Sequence, residues 1–271
     1  MKYQGLFKKA EALYKADETK VSEHLAKKDK DVKYYTTMIS QGTLSDKINA
    51  LQLLVQKTPE RSLHYLYKLR AEAKKKNRKQ AEIAIKALKD LFINFLLKDG
   101  SKLSAFQHNP RIEGRDEPEI PNFDLIDAYF DHCIKELYRD FIMEALVPMS
   151  RDDLEYFRKL ALEIMADLIS AKPEIEEVIL GLLINKLGDG SRKVQQHTIM
   201  VLCKLLKNHP VMAPVLTSET NALLSRPSLS TSQKYYSVLF LNKIAMLSGS
   251  HSEQTRIQLF RVYFMLFKQI M

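Results

Sequence analysis

Apolar residues recur at intervals of three and four along most of the chain, the spacing of helices that bury one stripe and leave the rest to water. Val32, Tyr35, Met38 and Ile39 predict a helix over 31–41, with Gly42 in the position that ends helices. Ser45 or Asp46 is placed to cap a second helix carrying Ile48, Leu51, Leu54 and Val55. Pro59 closes that helix and opens a partner with Leu63, Leu66, Tyr67, Leu69 and Ala73. Beyond Asn77 a longer helix to about Leu97 carries a broad stripe from Ala81 and Ala84 to Phe95 and Leu96, wide enough to need neighbours on more than one side. Residues 1–30 have thinner apolar spacing (Leu6, Phe7, Leu13, Tyr14, Val21, Leu25) and suit a marginal helix, an edge segment or a partly mobile one.

Downstream, Phe123 to Leu146 predicts a long helix stopped at Pro148, and Ser150 with Asp153 resembles the cap of a helix through Leu154, Phe157, Leu160, Ile164 and Leu168. Its pair begins near Pro173, where Glu174, Glu176 and Glu177 suit the positive end of a helix dipole. The turn Gly188-Asp189-Gly190-Ser191 then leads into Arg192-Lys193-Val194 and a leucine-rich helix. Short helices broken by Pro214 and Pro227 follow, and two last helices span about 230–247 and 252–271.

A basic or Asp-Lys pair opening an apolar helix repeats at Lys47, Lys79, Lys159 and Lys193, with Lys234 placed similarly; the spacings are 32, 80, 34 and 41 residues. Helix-pair repeats of the HEAT and armadillo kind run at about 40 to 47 residues, and 80 is about two such units. We read the chain as all-α, a HEAT/armadillo-like α-solenoid of antiparallel helix pairs. The expected divisions are an N-terminal segment (1–30), first repeat hairpins (31–98), a polar Pro/Gly/acidic loop (99–122) and further repeats (123–271). The loop has almost no apolar period and is expected to be mobile or to bind a partner. The last helix ends on the apolar run Val262-Tyr263-Phe264-Met265-Leu266-Phe267, whereas solenoid ends are usually polar outside. The expectation is therefore a fragment of a longer repeat array, or an end that docks on a partner.

Composition sharpens this picture in one respect. The net charge of +9 favours acidic partners, but its distribution says more. From Lys68 to Lys79, seven basic residues (Lys68, Arg70, Lys74, Lys75, Lys76, Arg78, Lys79) stand against Glu72 alone. From Asp99 to Asp131, eight acids stand against Lys102, Arg111 and Arg115. Three readings fit the basic hinge: a phosphate-backbone contact, a solvated lysine face, or a nuclear-import signal. Arg192 and Lys193 join the candidate RNA-binding set as a second basic pair at a helix start, and Tyr65 and Tyr67 beside the hinge suit packing or base stacking.

Enzyme chemistry finds no footing. The seven histidines have no zinc-site spacing, no Gly-rich phosphate loop occurs, and no serine sits in a nucleophile elbow. Asp124, Asp127 and Asp131 share a helix face, and complementing the helix dipole while facing solvent explains them without a cation. Cys133 and Cys203 read as two buried thiols in a reducing compartment. The N-terminus lacks the apolar core of a signal peptide, and no run of 18 apolar residues occurs. No cofactor, metal, small-molecule substrate or membrane partner is expected.

Thr43 to Leu51, Lys74 to Ala81, Ala87 to Ile93 and Leu96-Leu97 resemble the N-terminal helical repeats of the CCAAT-binding-factor family, which includes the CCAAT/enhancer-binding protein zeta type and the yeast nucleolar-complex proteins. Val262, Tyr263, Phe264 and Phe267 look like a later helix of the same proteins. The resemblance covers roughly residues 34–271. It implies a non-enzymatic scaffold of the nucleus and nucleolus for large-subunit assembly, bound to pre-ribosomal RNA in pre-60S particles and to a paralogous nucleolar-complex protein. The residues alone leave open a protein-only repeat adaptor of the transport or phosphatase-scaffold type.

Overall fold

The computed structural model describes residues 2–115, 117–247 and 253–270, and among these the secondary structure is entirely helical. Two compact units form: residues 1–146 with 172–174, and residues 147–171 with 175–271. The division falls inside the stretch 123–271 that the pattern suggested was one run.

In the first unit, α1 (Lys2–Lys28) is a regular helix rather than a marginal one. Its sparse apolar residues are enough because Leu6, Ala10 and Tyr14 recur every four residues and are buried, and α1 packs along α6 (Asn122–Asp140). The α2 helix (Lys30–Gln41) packs on α3 (Leu44–Lys57), which in turn meets α4 (Leu63–Ala73) and α5 (Arg78–Leu91). The α3 cap is Thr43, not Ser45 or Asp46. The Thr43 hydroxyl accepts the Asp46 N–H at 3.3 Å, while the Asp46 carboxylate accepts the Thr43 N–H at 3.1 Å, a reciprocal capping box. Two helices of this unit end in a π turn, α5 over Phe92–Leu96 and α6 over Phe141–Leu146. These turns face one another through Phe92 and Phe141, whose ring centres lie 5.4 Å apart.

The 99–122 segment, expected to be mobile or to bind a partner, is tied into this unit. Leu103, Phe106, Ile112 and Ile120 are buried, and the Leu103 N–H donates to the buried Glu174 carboxylate at 2.7 Å. Arg111 reaches Asp124 at 3.8 Å, Asp127 at 3.5 Å and Asp131 at 3.6 Å, and Lys98 meets Asp131 at 3.1 Å. The aspartate face therefore clamps the loop instead of facing water. A loop with few apolar residues holds because its polar ones are matched.

The second unit opens with the helical turn α7 (Val147–Met149) and contains α8 (Glu155–Ala171), α9 (Glu176–Asn185), α10 (Arg192–Asn208), α11 (Ala213–Leu224), α12 (Thr231–Leu247) and α13 (Glu253–Ile270). At the start of α8 the Asp152 carboxylate accepts the Leu154 N–H at 2.8 Å, and the Ser150 hydroxyl, expected in the cap, turns back to donate to the Val147 carbonyl. Within the unit α8 packs on α10 and α10 on α12, while α9 packs on α11 and α11 on α13. Of the two thiols, Cys133 is buried and Cys203 only half-buried, and both are free. Ser252 and Met271, the expected limits of the last helix, lie outside the described residues.

Candidate nucleic-acid interface

The basic hinge is the four-residue join Lys74–Asn77 between α4 and α5, with the last turn of one helix and the first turn of the other. Asn77 starts α5 by accepting the Gln80 N–H at 3.4 Å. A join this short turns the chain back, and α4 packs on α5. Lys68, Lys74, Lys75, Lys76, Arg78 and Lys79 are exposed around the turn.

Tertiary contacts divide these cations into two groups. The Arg70 guanidinium donates to Asp140 at 2.6 Å and Glu144 at 2.7 Å, and Lys74 also pairs with Glu144. These two basic residues tie α4 to the end of α6 and are already matched by carboxylates 70 or more positions away in the chain, beyond the reach of local pattern. Lys75 pairs with Glu72 at 2.7 Å, and the Lys68 ammonium stands over the Tyr65 ring, 5.7 Å from its centre. Lys76 and Lys79 meet no carboxylate among the described residues. The first turn of α5 holds Arg78 and Lys79 and no acid, so two cations sit at the positive end of the helix dipole.

Arg70 and Lys74 hold the Glu144 carboxyl below the ordinary carboxylate range. A carboxylate lowered on folding lends stability above its unfolded value, about 4.5, and that stability is lost as pH falls through the folded value. Glu144→Gln is therefore expected to flatten the acid limb of the stability profile below about pH 4.5, as read by chemical denaturation across the acid range. An unchanged acid limb would show that the contact does not persist in solution.

Arg192 and Lys193 belong to the second unit, at the first turn of α10, and form a separate basic locus. Lys193 stands 4.0 Å from Glu155, and Arg192 is exposed without a carboxylate partner among the described residues. Tyr67 is 42% exposed, but burial raises the pKa of its hydroxyl well above the ordinary range, which marks a packing residue at that end. Among the described residues no group of three or more His, Cys, Asp or Glu is placed to hold a metal ion. No single described helix is long and apolar enough to cross a membrane.

No protein-family model matches the chain. Human CCAAT/enhancer-binding protein zeta is 34% identical over 236 residues, which cover 85% of this chain and 22% of that protein. Ribosome biogenesis protein NOC1 of Chaetomium thermophilum is 33% identical over 252 residues, covering 87% of this chain and 24% of that protein. The chain belongs to the CCAAT-binding-factor family. Nucleolar complex protein 1 of Drosophila melanogaster is 28% identical over 245 residues, with 88% of this chain and 20% of that protein covered. The chain thus spans between a fifth and a quarter of these family members' lengths.

Proposed function

We propose that this chain is a non-enzymatic helical-repeat scaffold in nucleolar assembly of the large ribosomal subunit. In this reading it works in the nucleus and nucleolus, contacts pre-ribosomal RNA within pre-60S particles through the basic hinge, and meets a paralogous nucleolar-complex protein through its helical faces. The names ribosome biogenesis protein and nucleolar complex protein among its relatives support the setting. The two rows α8–α10–α12 and α9–α11–α13 support HEAT/armadillo-like repeats, since each helix meets the helix two positions on in the chain.

The observation that carries the RNA contact is the exposed set Lys68, Lys75, Lys76, Arg78 and Lys79 around an acid-free helix start. Their long side chains splay from a turn and would engage several phosphates without reading sequence. Five phosphate contacts on duplex RNA give a log-log salt slope of about −4.5. A filter-binding titration of the chain against salt should show that slope, and serine at all five positions should remove most of it. A flat salt dependence, or a slope indifferent to those substitutions, would overturn the RNA role of the hinge.

A protein-only adaptor is the second reading, favoured by Phe260, Phe264 and Phe267, which α13 exposes at 73%, 65% and 60%. It predicts partner capture that survives the hinge substitutions and is lost when these three phenylalanines become serine.

A further inference from the structure

Neither α10 nor α12 contains a single Asp or Glu, although each is 17 residues long. The two helices pack together, and two contacts set their direction. Near the start of both, the Ser232 hydroxyl donates to Gln195 at 3.1 Å and the Gln233 amide donates to the Gly188 carbonyl at 2.6 Å. Residue 195 of one helix thus lies beside residue 232 of the other, near the start of both, and the helices pack side by side from there.

This alignment collects cations that lie far apart in sequence. Arg192 and Lys234 stand toward one end, Lys207 and Lys243 toward the other, all exposed and without a carboxylate partner among the described residues. Lys204, between them, is drawn 3.7 Å from Asp167 of α8, and Lys193 is 4.0 Å from Glu155. From residue 192 to residue 207 the helix axis advances about 22 Å, too long for a single phosphate and suited to a strand of them. Tyr235 stands next to Lys234, 61% exposed and edge-on to the buried Tyr236 at 5.2 Å. An exposed ring held by a buried neighbour and flanked by lysine is the pairing that single-stranded nucleic acid uses, phosphate on cation and base on aromatic face.

We propose that the α10–α12 face of the second unit is a single-stranded RNA-binding surface, with Lys207, Lys234 and Lys243 on phosphates and Tyr235 stacked on a base. It is a different surface from the hinge and does not depend on the hinge reading.

The test is fluorescence-anisotropy titration of the full chain with a labelled oligouridine over a range of salt. Gln at Lys207, Lys234 and Lys243 together should lower the log-log salt slope by about 2, at roughly 0.7 per phosphate on a single strand. Arginine at the same three positions should keep the slope, and Tyr235→Ala should weaken binding with the slope unchanged. Circular dichroism of each variant separates unfolding from lost contact, and the arginine variant keeps the test intact if the glutamine one fails to fold. An unchanged slope in the glutamine variant overturns the proposal, as does polyglutamate binding that those substitutions abolish while RNA binding stays. Loss of oligouridine binding in the hinge variant but not in this one would overturn this proposal alone, since the hinge reading is decided by its own duplex-RNA titration.

Discussion

Tyr14→Ala is expected to destabilise the first unit by about 3–5 kcal/mol, the range for emptying a buried aromatic site. Tyr14 is 1% exposed and sits among Tyr129, Phe130 and the Arg61 guanidinium, with its ring 5.4 Å from that of Tyr129. Its hydroxyl donates to the Glu60 carbonyl at 3.1 Å and accepts the Leu63 N–H at 3.4 Å. One side chain of α1 thereby joins α6 to the start of α4. Tyr14→Phe keeps the ring and leaves the Leu63 N–H unmatched, while the Glu60 carbonyl keeps the Arg61 guanidinium at 3.0 Å, for a cost of about 1–3 kcal/mol. Urea unfolding followed by circular dichroism measures both. If Tyr14→Ala cost less than Tyr14→Phe, the ring would not be filling the space described.

Asp189→Ala is expected to cost the second unit about 3 kcal/mol, because it strands two half-buried cations. The Asp189 side chain is 4% exposed. Its carboxylate receives the Lys186 ammonium at 3.1 Å, the Arg158 guanidinium at 3.7 Å and the Ser191 N–H at 3.0 Å. It thus holds the α9–α10 turn to α8 and starts α10. Asp189→Asn keeps the acceptor for Ser191 and loses the charge, so it should fall between wild type and Asp189→Ala. The pairing of Asp189→Ala with Lys186→Met should recover part of the loss in a double-mutant cycle, since the uncompensated charge is then gone. Strict additivity of the two changes would show that Lys186 and Asp189 do not interact.

The turn Gly188-Asp189-Gly190-Ser191 was visible in the sequence as punctuation between helices, and Arg192-Lys193 as a repeated basic pair. The ion cluster around Asp189 was not, because Arg158 comes from a helix more than thirty positions earlier. The hinge is similar. Its charge was plain from composition, but the assignment of Arg70 and Lys74 to Asp140 and Glu144 required knowing that the end of α6 meets α4. The basic α10–α12 face had a signal that pattern reading passed over: two helices without an acid, separated in the chain by α11.

What the sequence by itself determined was the helical identity of nearly every element, since spacing of three and four with few Gly and Pro leaves the backbone little else that is favourable. It also marked the positions of excess charge and the family. Only the tertiary structure decided which of those charges remain exposed. It decided, too, that α1 is a full helix along α6, that the 99–122 segment is clamped by Arg111 and Glu174, and that Ile175 takes a left-handed conformation, φ +43°, next to that buried glutamate. The physical reason is common to all of these. Helix formation is written in neighbours three and four apart, whereas the pairing of a charge, the burial of a sparse stripe and the strain at one backbone position depend on partners brought from far along the chain.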